Sequence, residues 1–131
     1  MVSPITTTIA IVDDDRSICT SLSRLLRLAH FQAIAYSSAE AFLAHEPRPP
    51  FGCLVLDIRL GGMSGLELLA QLAAEAPPPP VIVVTAVDEP ALRAKAQALG
   101  CAGFFSKSTP GSGIIAAIRG ACGSEARPGH A

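Results

Sequence analysis

Hydrophobic positions along this chain switch repeatedly between two periods. Thr8-Ile9-Ala10-Ile11-Val12 is a β-branched apolar run with no polar alternation, which suits a strand covered on both faces. From Arg16 onward the apolar positions Ile18, Leu22, Leu25, Leu26 and Ala29 fall at helical spacing. Gln32 to Tyr36 returns to a strand-like run. Ser38 then reads as the N-cap of a helix through Ala41, Phe42 and Leu43. Pro47-Arg48-Pro49-Pro50 must end it, because proline brings no amide donor and clashes with the preceding turn.

The alternation continues. Cys53 to Leu56 is a buried strand that stops at Asp57, ahead of a glycine-rich loop. Gly65 to Glu75 is predicted helical, with Leu66, Leu69 and Leu72 on one stripe, and Pro77 to Pro80 breaks it. Val81 to Val84 is the most β-prone stretch and ends at Thr85. Glu89 to Leu99 is an alanine-rich helix closed by Gly100. Its core stripe is Leu92, Ala96 and Leu99, which leaves Ala91, Ala94, Lys95 and Ala98 outward. Phe104-Phe105 forms a short strand ahead of Lys107, and Ser112 to Ala121 the last helix. Glycine, proline and serine after Cys122 predict one domain over 1–122 and a flexible tail over 123–131. Five strand–helix units joined by short loops predict an α/β fold, a parallel sheet with helices on both faces.

Composition narrows the partners. The 131 residues are half hydrophobic, enough for one domain with a real core. A formal charge of −1 gives no whole-molecule electrostatic case for nucleic acid or an anionic membrane. No apolar run approaches the roughly 18 residues that span a bilayer, and Met1 to Thr8 lacks the basic start and apolar middle of a signal peptide. Cys19, Cys53, Cys101 and Cys122 form no C-x-x-C pair, and His30, His45 and His130 have no ligand spacing. The expectation is a cytoplasmic protein with free thiols and no metal at its cysteines.

Chemistry concentrates at one edge. In open parallel sheets, ligands bind beyond the carboxyl ends of the strands, near the point where strand order reverses. Here the first strand ends in Asp13-Asp14-Asp15, the third in Asp57 and the fourth in Thr85, and Lys107 follows the fifth. Any one of these has a plain structural explanation. Asp15 suits the N-cap of the first helix, Thr85 suits a strand, and a lone lysine suits the surface. Four strands ending this way is a constellation. Clustered carboxylates make a hard oxygen site of the kind Mg²⁺ takes. A carboxylate left over is a nucleophile able to form an acyl phosphate, while a hydroxyl and an ammonium hold phosphoryl oxygens.

The stretches Ile11-Val12-Asp13-Asp14-Asp15, Asp57-Ile58-Arg59-Leu60-Gly61-Gly62-Met63-Ser64-Gly65, Val83-Val84-Thr85-Ala86 and Gly103-Phe104-Phe105-Ser106-Lys107 resemble the receiver domains of bacterial two-component response regulators. The resemblance spans about Thr8 to Ala121. It implies a flavodoxin-like, doubly wound (βα)5 fold with strand order 2-1-3-4-5. It further implies a regulatory phosphoprotein, not an enzyme, that acts in phosphorelay signal transduction. Asp57 would accept the phosphoryl group, with Thr85 and Lys107 completing the catalytic set. Asp13, Asp14, Asp57 and the carbonyl of Arg59 would hold Mg²⁺, and Thr85 and Phe104 would form the switch. The implied partners are a sensor histidine kinase or a phosphotransfer protein, and a second copy through the face built from the Glu89–Leu99 helix, the Phe104–Phe105 strand and the last helix. No nucleic acid is implied for this domain alone.

Two departures from the family pattern stand out. Ser108 replaces the proline that commonly follows the lysine, and Gly61-Gly62 stands where a proline is common in the acceptor loop. Without proline, a cis bond costs about 3–4 kcal/mol, so Lys107–Ser108 is expected trans. Two other readings stay open on the residues alone. One is a receiver-like adaptor that works without phosphorylation. The other is a haloacid-dehalogenase-like phosphatase using Asp13-x-Asp15, which leaves Asp57 unexplained.

Overall fold

The computed structural model describes residues 6–126. Five strands and five helices alternate: β1 (Thr8–Val12), α1 (Arg16–Leu28), β2 (Gln32–Tyr36), α2 (Ala39–Ala44), β3 (Cys53–Leu56), α3 (Gly65–Ala73), β4 (Val81–Thr85), α4 (Pro90–Ala98), β5 (Gly103–Ser106) and α5 (Gly111–Ala126). All strand pairs are parallel, in the order β2-β1-β3-β4-β5, so the flavodoxin-like arrangement is the one observed.

The central strands lack polar alternation because both of their faces are covered. Ala10, Val12, Leu54, Leu56, Val81, Val83 and Phe104 point into a core closed by α2, α3 and α4, where Phe42, Leu68, Leu69, Leu72 and Ala96 meet them. The intervening residues Ile9, Ile11, Cys53, Val55, Ile82 and Val84 point the other way, against Leu22 and Leu26 of α1 and Ile114, Ile115 and Ile118 of α5. Phe42 is fully buried, and truncating such a phenylalanine to alanine costs about 3–5 kcal/mol. β2 lies at the sheet edge, and its burial is accordingly weaker.

Local signals explain most boundaries. Asp15 caps α1 by accepting from the Ser17 and Ile18 amides, and Ser38 caps α2 by accepting from Ala41. Gly100 ends α4 with φ +89, the left-handed conformation glycine adopts most readily. His30 takes the equivalent turn after α1 at φ 72. The stripe on α3 differs from expectation. Leu68, Leu69 and Leu72 are buried while Leu66 is only partly covered.

α5 departs most from the sequence reading. It continues past Ala121 to Ala126, so the stretch 123–126 assigned to a flexible tail is helical. Glycine inside a helix costs about 1 kcal/mol relative to alanine, and Gly120 and Gly123 predicted an early end. Ile114, Ile115 and Ile118 pack against the sheet, and Ala121 and Cys122 continue that contact past Gly120. Residues 127–131 of the expected tail lie outside the described residues. Among the described residues, no helix is long and apolar enough to cross a membrane.

Candidate functional site

β1 and β3 are neighbours, with Val12 opposite Leu56. The next residues, Asp13 and Asp57, therefore emerge side by side at the crevice where the chain leaves β1 for β2 on one side and β3 on the other. The sheet fixes both backbones: the Asp57 amide donates to the Val12 carbonyl at 3.0 Å and the Asp13 amide to the Tyr36 carbonyl at 3.1 Å. Each of the two side chains is 4 % exposed as a residue, while Asp14 is exposed. Carboxylate oxygens of Asp13, Asp14 and Asp57 lie within 4.8 Å of one another.

Lys107 enters from β5, two strands away, across the end of β4. Its Nζ lies 2.9 Å from Asp57 Oδ2 and 3.1 Å from Asp13 Oδ2. Burial pushes the Asp13 carboxyl above its ordinary pKa, helped by the Asp57 charge and opposed by the Asp15 amide and Lys107. Burial pulls the Lys107 ammonium the other way, but hydrogen bonds and charge from Asp57 and Asp13 outweigh it and hold its pKa above the ordinary value. The Asp13 carboxylate is further oriented by the Asp15 amide, which donates to Oδ1 at 2.8 Å.

The turn carrying Lys107 is closed by serines in place of a proline. The Ser108 amide donates to Ser106 Oγ at 3.1 Å, the two hydroxyls lie 2.8 Å apart, and the Lys107 amide donates to the Thr85 carbonyl at 2.9 Å. Among the described residues the cis peptide bonds precede Pro47 and Pro77, and Lys107–Ser108 is trans as expected.

The remaining expected residues fall around this centre. The Arg59 amide donates to Asp57 Oδ1 at 3.1 Å, which brings the Arg59 backbone to the Asp57 carboxylate. The Arg59 guanidinium reaches instead toward Glu89, at 3.9 Å. Thr85 is fully buried, and its hydroxyl accepts from the Val87 amide at 3.2 Å. Phe104 is already in the core at 7 % exposure, with the Arg93 guanidinium 4.6 Å from its ring centroid. Arg93, itself 3.1 Å from Asp88, was not singled out from the sequence, and neither was Glu40, whose carboxylate accepts from the Met63 amide at 2.7 Å. No local pattern marks Glu40, since its partner is 23 residues away.

Among the cysteines, Cys53 is buried and its thiol is pushed up to about 12, chiefly by burial. Cys19 and Cys101 are only half-buried, and their thiols and that of Cys53 form no disulfide. Among the described residues, the metal-capable cluster is the acidic one. Its donors are all oxygen and one of them faces solvent, which fits Mg²⁺, a hard cation that keeps several of its waters.

A parallel β2-β1-β3-β4-β5 sheet with an acidic crevice and a bridging lysine at its carboxyl edge defines the receiver class. The sequence model of the response regulator receiver domain matches residues 9–119, and the chain belongs to that family. It is 38 % identical over 120 residues to the transcriptional regulatory protein FixJ of Azorhizobium caulinodans, covering 92 % of this chain and 57 % of the relative. The chain thus spans little more than half the length of that relative. A crystal structure of FixJ-N matches with a TM-score of 0.81 and 35 % identity over 91 % of this chain and 95 % of that one. A CheY-like receiver domain protein from Methanospirillum hungatei has the same fold, with a TM-score of 0.88 at 23 % identity over 95 % of this chain and 99 % of that one.

This is a receiver domain of the kind found in two-component response regulators. The phosphatase alternative loses its footing on geometry as well. Asp15, which it needs as an acid, is exposed and occupied in capping α1; the Ser17 hydroxyl and the Ile18 and Ser17 amides hold its carboxyl below the ordinary pKa.

Proposed function

We propose that Asp57 accepts a phosphoryl group from a sensor histidine kinase or a phosphotransfer protein, with Mg²⁺ held by the Asp13, Asp14 and Asp57 carboxylates and the Arg59 carbonyl. The observation that carries this reading is Lys107 bridging Asp57 and Asp13 at the crevice between β1 and β3. An Asp57 carboxylate oxygen attacks phosphorus. The bond from phosphorus to the donor imidazole nitrogen breaks, and its electron pair stays on that nitrogen. Mg²⁺ held by those carboxylates and the Arg59 carbonyl would neutralise charge on the phosphoryl oxygens. The Lys107 ammonium, already at the Asp57 carboxylate, takes one phosphoryl oxygen. The Thr85 hydroxyl accepts from Val87 and so keeps its own proton to donate to another.

Movement of Thr85 toward the acyl phosphate changes the surface formed by α4, β5 and α5, next to Phe104 and its Arg93 cover. Ala91, Ala94, Lys95 and Ala98 are exposed on α4, as the helical stripe requires, and this small-residue face suits a second copy of the chain. The domain acts in the cytoplasm as a regulatory phosphoacceptor. With balanced charge it contacts no nucleic acid itself. A purely phosphorylation-independent adaptor has no need of the acceptor, threonine and lysine that are all in place here.

Intact mass after treatment with acetyl phosphate and Mg²⁺ tests the assignment. Wild type should gain one phosphoryl group, Asp57→Asn none, and chelation should abolish labelling. The same gain in Asp57→Asn would overturn it.

A further inference from the structure

The loop after the acceptor, residues 58–64, carries Arg59 and must hold its carbonyl toward the acidic crevice. Its two ends are pinned. The Gly65 amide donates to the Ile58 carbonyl at 2.9 Å, and a Cβ on Gly65 would fall 2.0 Å from the Asp57 carbonyl oxygen, so only glycine permits this approach. At the far end Ser64 and Glu67 form a capping box that fixes the entry to α3.

Between these ends, Leu60 and Met63 pack only partly against the core. Gly61 faces open space, and Gly62 sits at φ +75. Two consecutive glycines give this stretch more backbone freedom than any other pair of residues would. What restrains it comes from outside the loop. Glu40, in the first turn of α2, accepts from the Met63 amide at 2.7 Å. Its carboxylate lies so near Gly62 that a Cβ there would fall 2.5 Å from Oε2 and 3.2 Å from Cδ. The Met63 amide in turn holds the Glu40 carboxyl below its ordinary pKa.

The support behind Glu40 is rigid. Phe42, two residues on, is fully buried, Ala39 is fully buried beside it, and Ser38 caps the helix. Glu40 forms no ion pair among the described residues, so its observed partner is the loop. Three successive amides are thus taken up by three different acceptors: Met63 by Glu40, Ser64 by Glu67 and Gly65 by Ile58.

We propose that Glu40 is a positioning residue of the phosphorylation site: it clamps the glycine-rich acceptor loop from α2 and so fixes the Arg59 carbonyl for the cation. The inference rests on the cation and acceptor assignment above. It also accounts for how a loop with Gly61 in place of a common proline keeps its shape.

The test is Mg²⁺ titration by calorimetry of wild type, Glu40→Ala and Glu40→Gln, followed by acetyl phosphate labelling across the same Mg²⁺ range. Glu40→Ala should weaken Mg²⁺ binding about fivefold and raise by the same factor the Mg²⁺ needed for half-maximal labelling. At saturating Mg²⁺ its labelling should return to the wild-type level. Glu40→Gln keeps a carbonyl oxygen that accepts from Met63 and should stay within about twofold of wild type. A helix-stabilising role alone would not produce this split between affinity and maximal labelling, nor the rescue by glutamine. Gly62→Ala, which drives the carboxylate away, should weaken Mg²⁺ binding in wild type and add little in Glu40→Ala. Unchanged affinity in a folded Glu40→Ala, with wild type labelled normally on Asp57, overturns the clamp alone. Wild type that neither binds Mg²⁺ nor labels on Asp57 overturns the site assignment beneath it.

Discussion

Replacing Lys107 with methionine probes the electrostatics of the crevice. The ammonium lies 2.9 Å from Asp57 Oδ2 and 3.1 Å from Asp13 Oδ2. At an effective dielectric of about 20, unit charges at such separations attract by roughly 5–6 kcal/mol per pair. Carboxylate oxygens of Asp13, Asp14 and Asp57 lie within 4.8 Å of one another. By the same relation each of those pairs repels by roughly 3–4 kcal/mol. Two attractions and three repulsions of these sizes nearly cancel, so a single lysine balances the acidic cluster. The measured loss will be smaller than the Coulomb sum, because the ammonium regains hydration and a carboxylate can take up a proton. Breaking a buried ion pair by removing one partner costs about 3–5 kcal/mol, which is the expected destabilisation without metal.

Urea unfolding followed by far-ultraviolet circular dichroism suits a chain with no tryptophan and one tyrosine. With an m-value of about 1.5 kcal/mol/M, the midpoint should fall by roughly 2–3 M in EDTA. Mg²⁺ should narrow the deficit by supplying the missing positive charge. Acid should narrow it too. The Asp13 carboxyl already stands above its ordinary pKa, chiefly through burial, and Lys107 is one of the influences holding it down. A carboxyl whose folded pKa exceeds its unfolded value favours the fold below the unfolded value, and that contribution is lost as pH rises through the folded pKa. The variant should therefore lie closer to wild type at pH 5 than at pH 7.5. Equal midpoints in EDTA, or a deficit that neither Mg²⁺ nor acid narrows, would refute the reasoning.

By resemblance to receivers, the side chains two residues after Asp57 and two after Thr85 flank the approach of a hydrolytic water; here Val87 offers no polar side-chain atom and the Arg59 guanidinium turns toward Glu89. The acyl phosphate should last minutes to hours, and Arg59→Asn with Val87→Glu should speed its loss about tenfold, or ~1.4 kcal/mol of barrier. A wild-type lifetime of seconds, or no acceleration in the double variant, counts against this. Thr85→Ala should still be phosphorylated yet fail to dimerise with beryllofluoride in sedimentation experiments; a wild type that stays monomeric throughout removes the dimer. Gly65→Ala should lose about 3 kcal/mol, since its Cβ would press on backbone atoms of Asp57 and Ile58. Gly61→Ala, with open space around it, should gain about 0.4–1 kcal/mol. Comparable thermal midpoints for the two alanine variants would contradict that contrast.

The elements were legible because their causes are local. A run such as Ile9-Ala10-Ile11-Val12 is apolar at every position, Asp15 and Ser38 cap helices through amides two or three residues on, and Gly100 supplies a left-handed turn. Each depends on neighbours within a few residues. The candidate site was legible as a set, since four strands end in polar residues of complementary chemistry, and the family resemblance supplied the strand order that puts them together. Local reasoning failed at α5, which runs past Gly120 and Gly123 to Ala126 with its isoleucines, Ala121 and Cys122 packed on the sheet. It also could not find pairings made across the fold. Lys107 reaches Asp13 from 94 residues away, Glu40 holds Met63 across 23, and Arg93 covers Phe104. Periodicity and capping are determined by the residues next along the chain, whereas these contacts depend on strand order and helix packing, which exist only once the sheet has formed and brought distant ends to one edge.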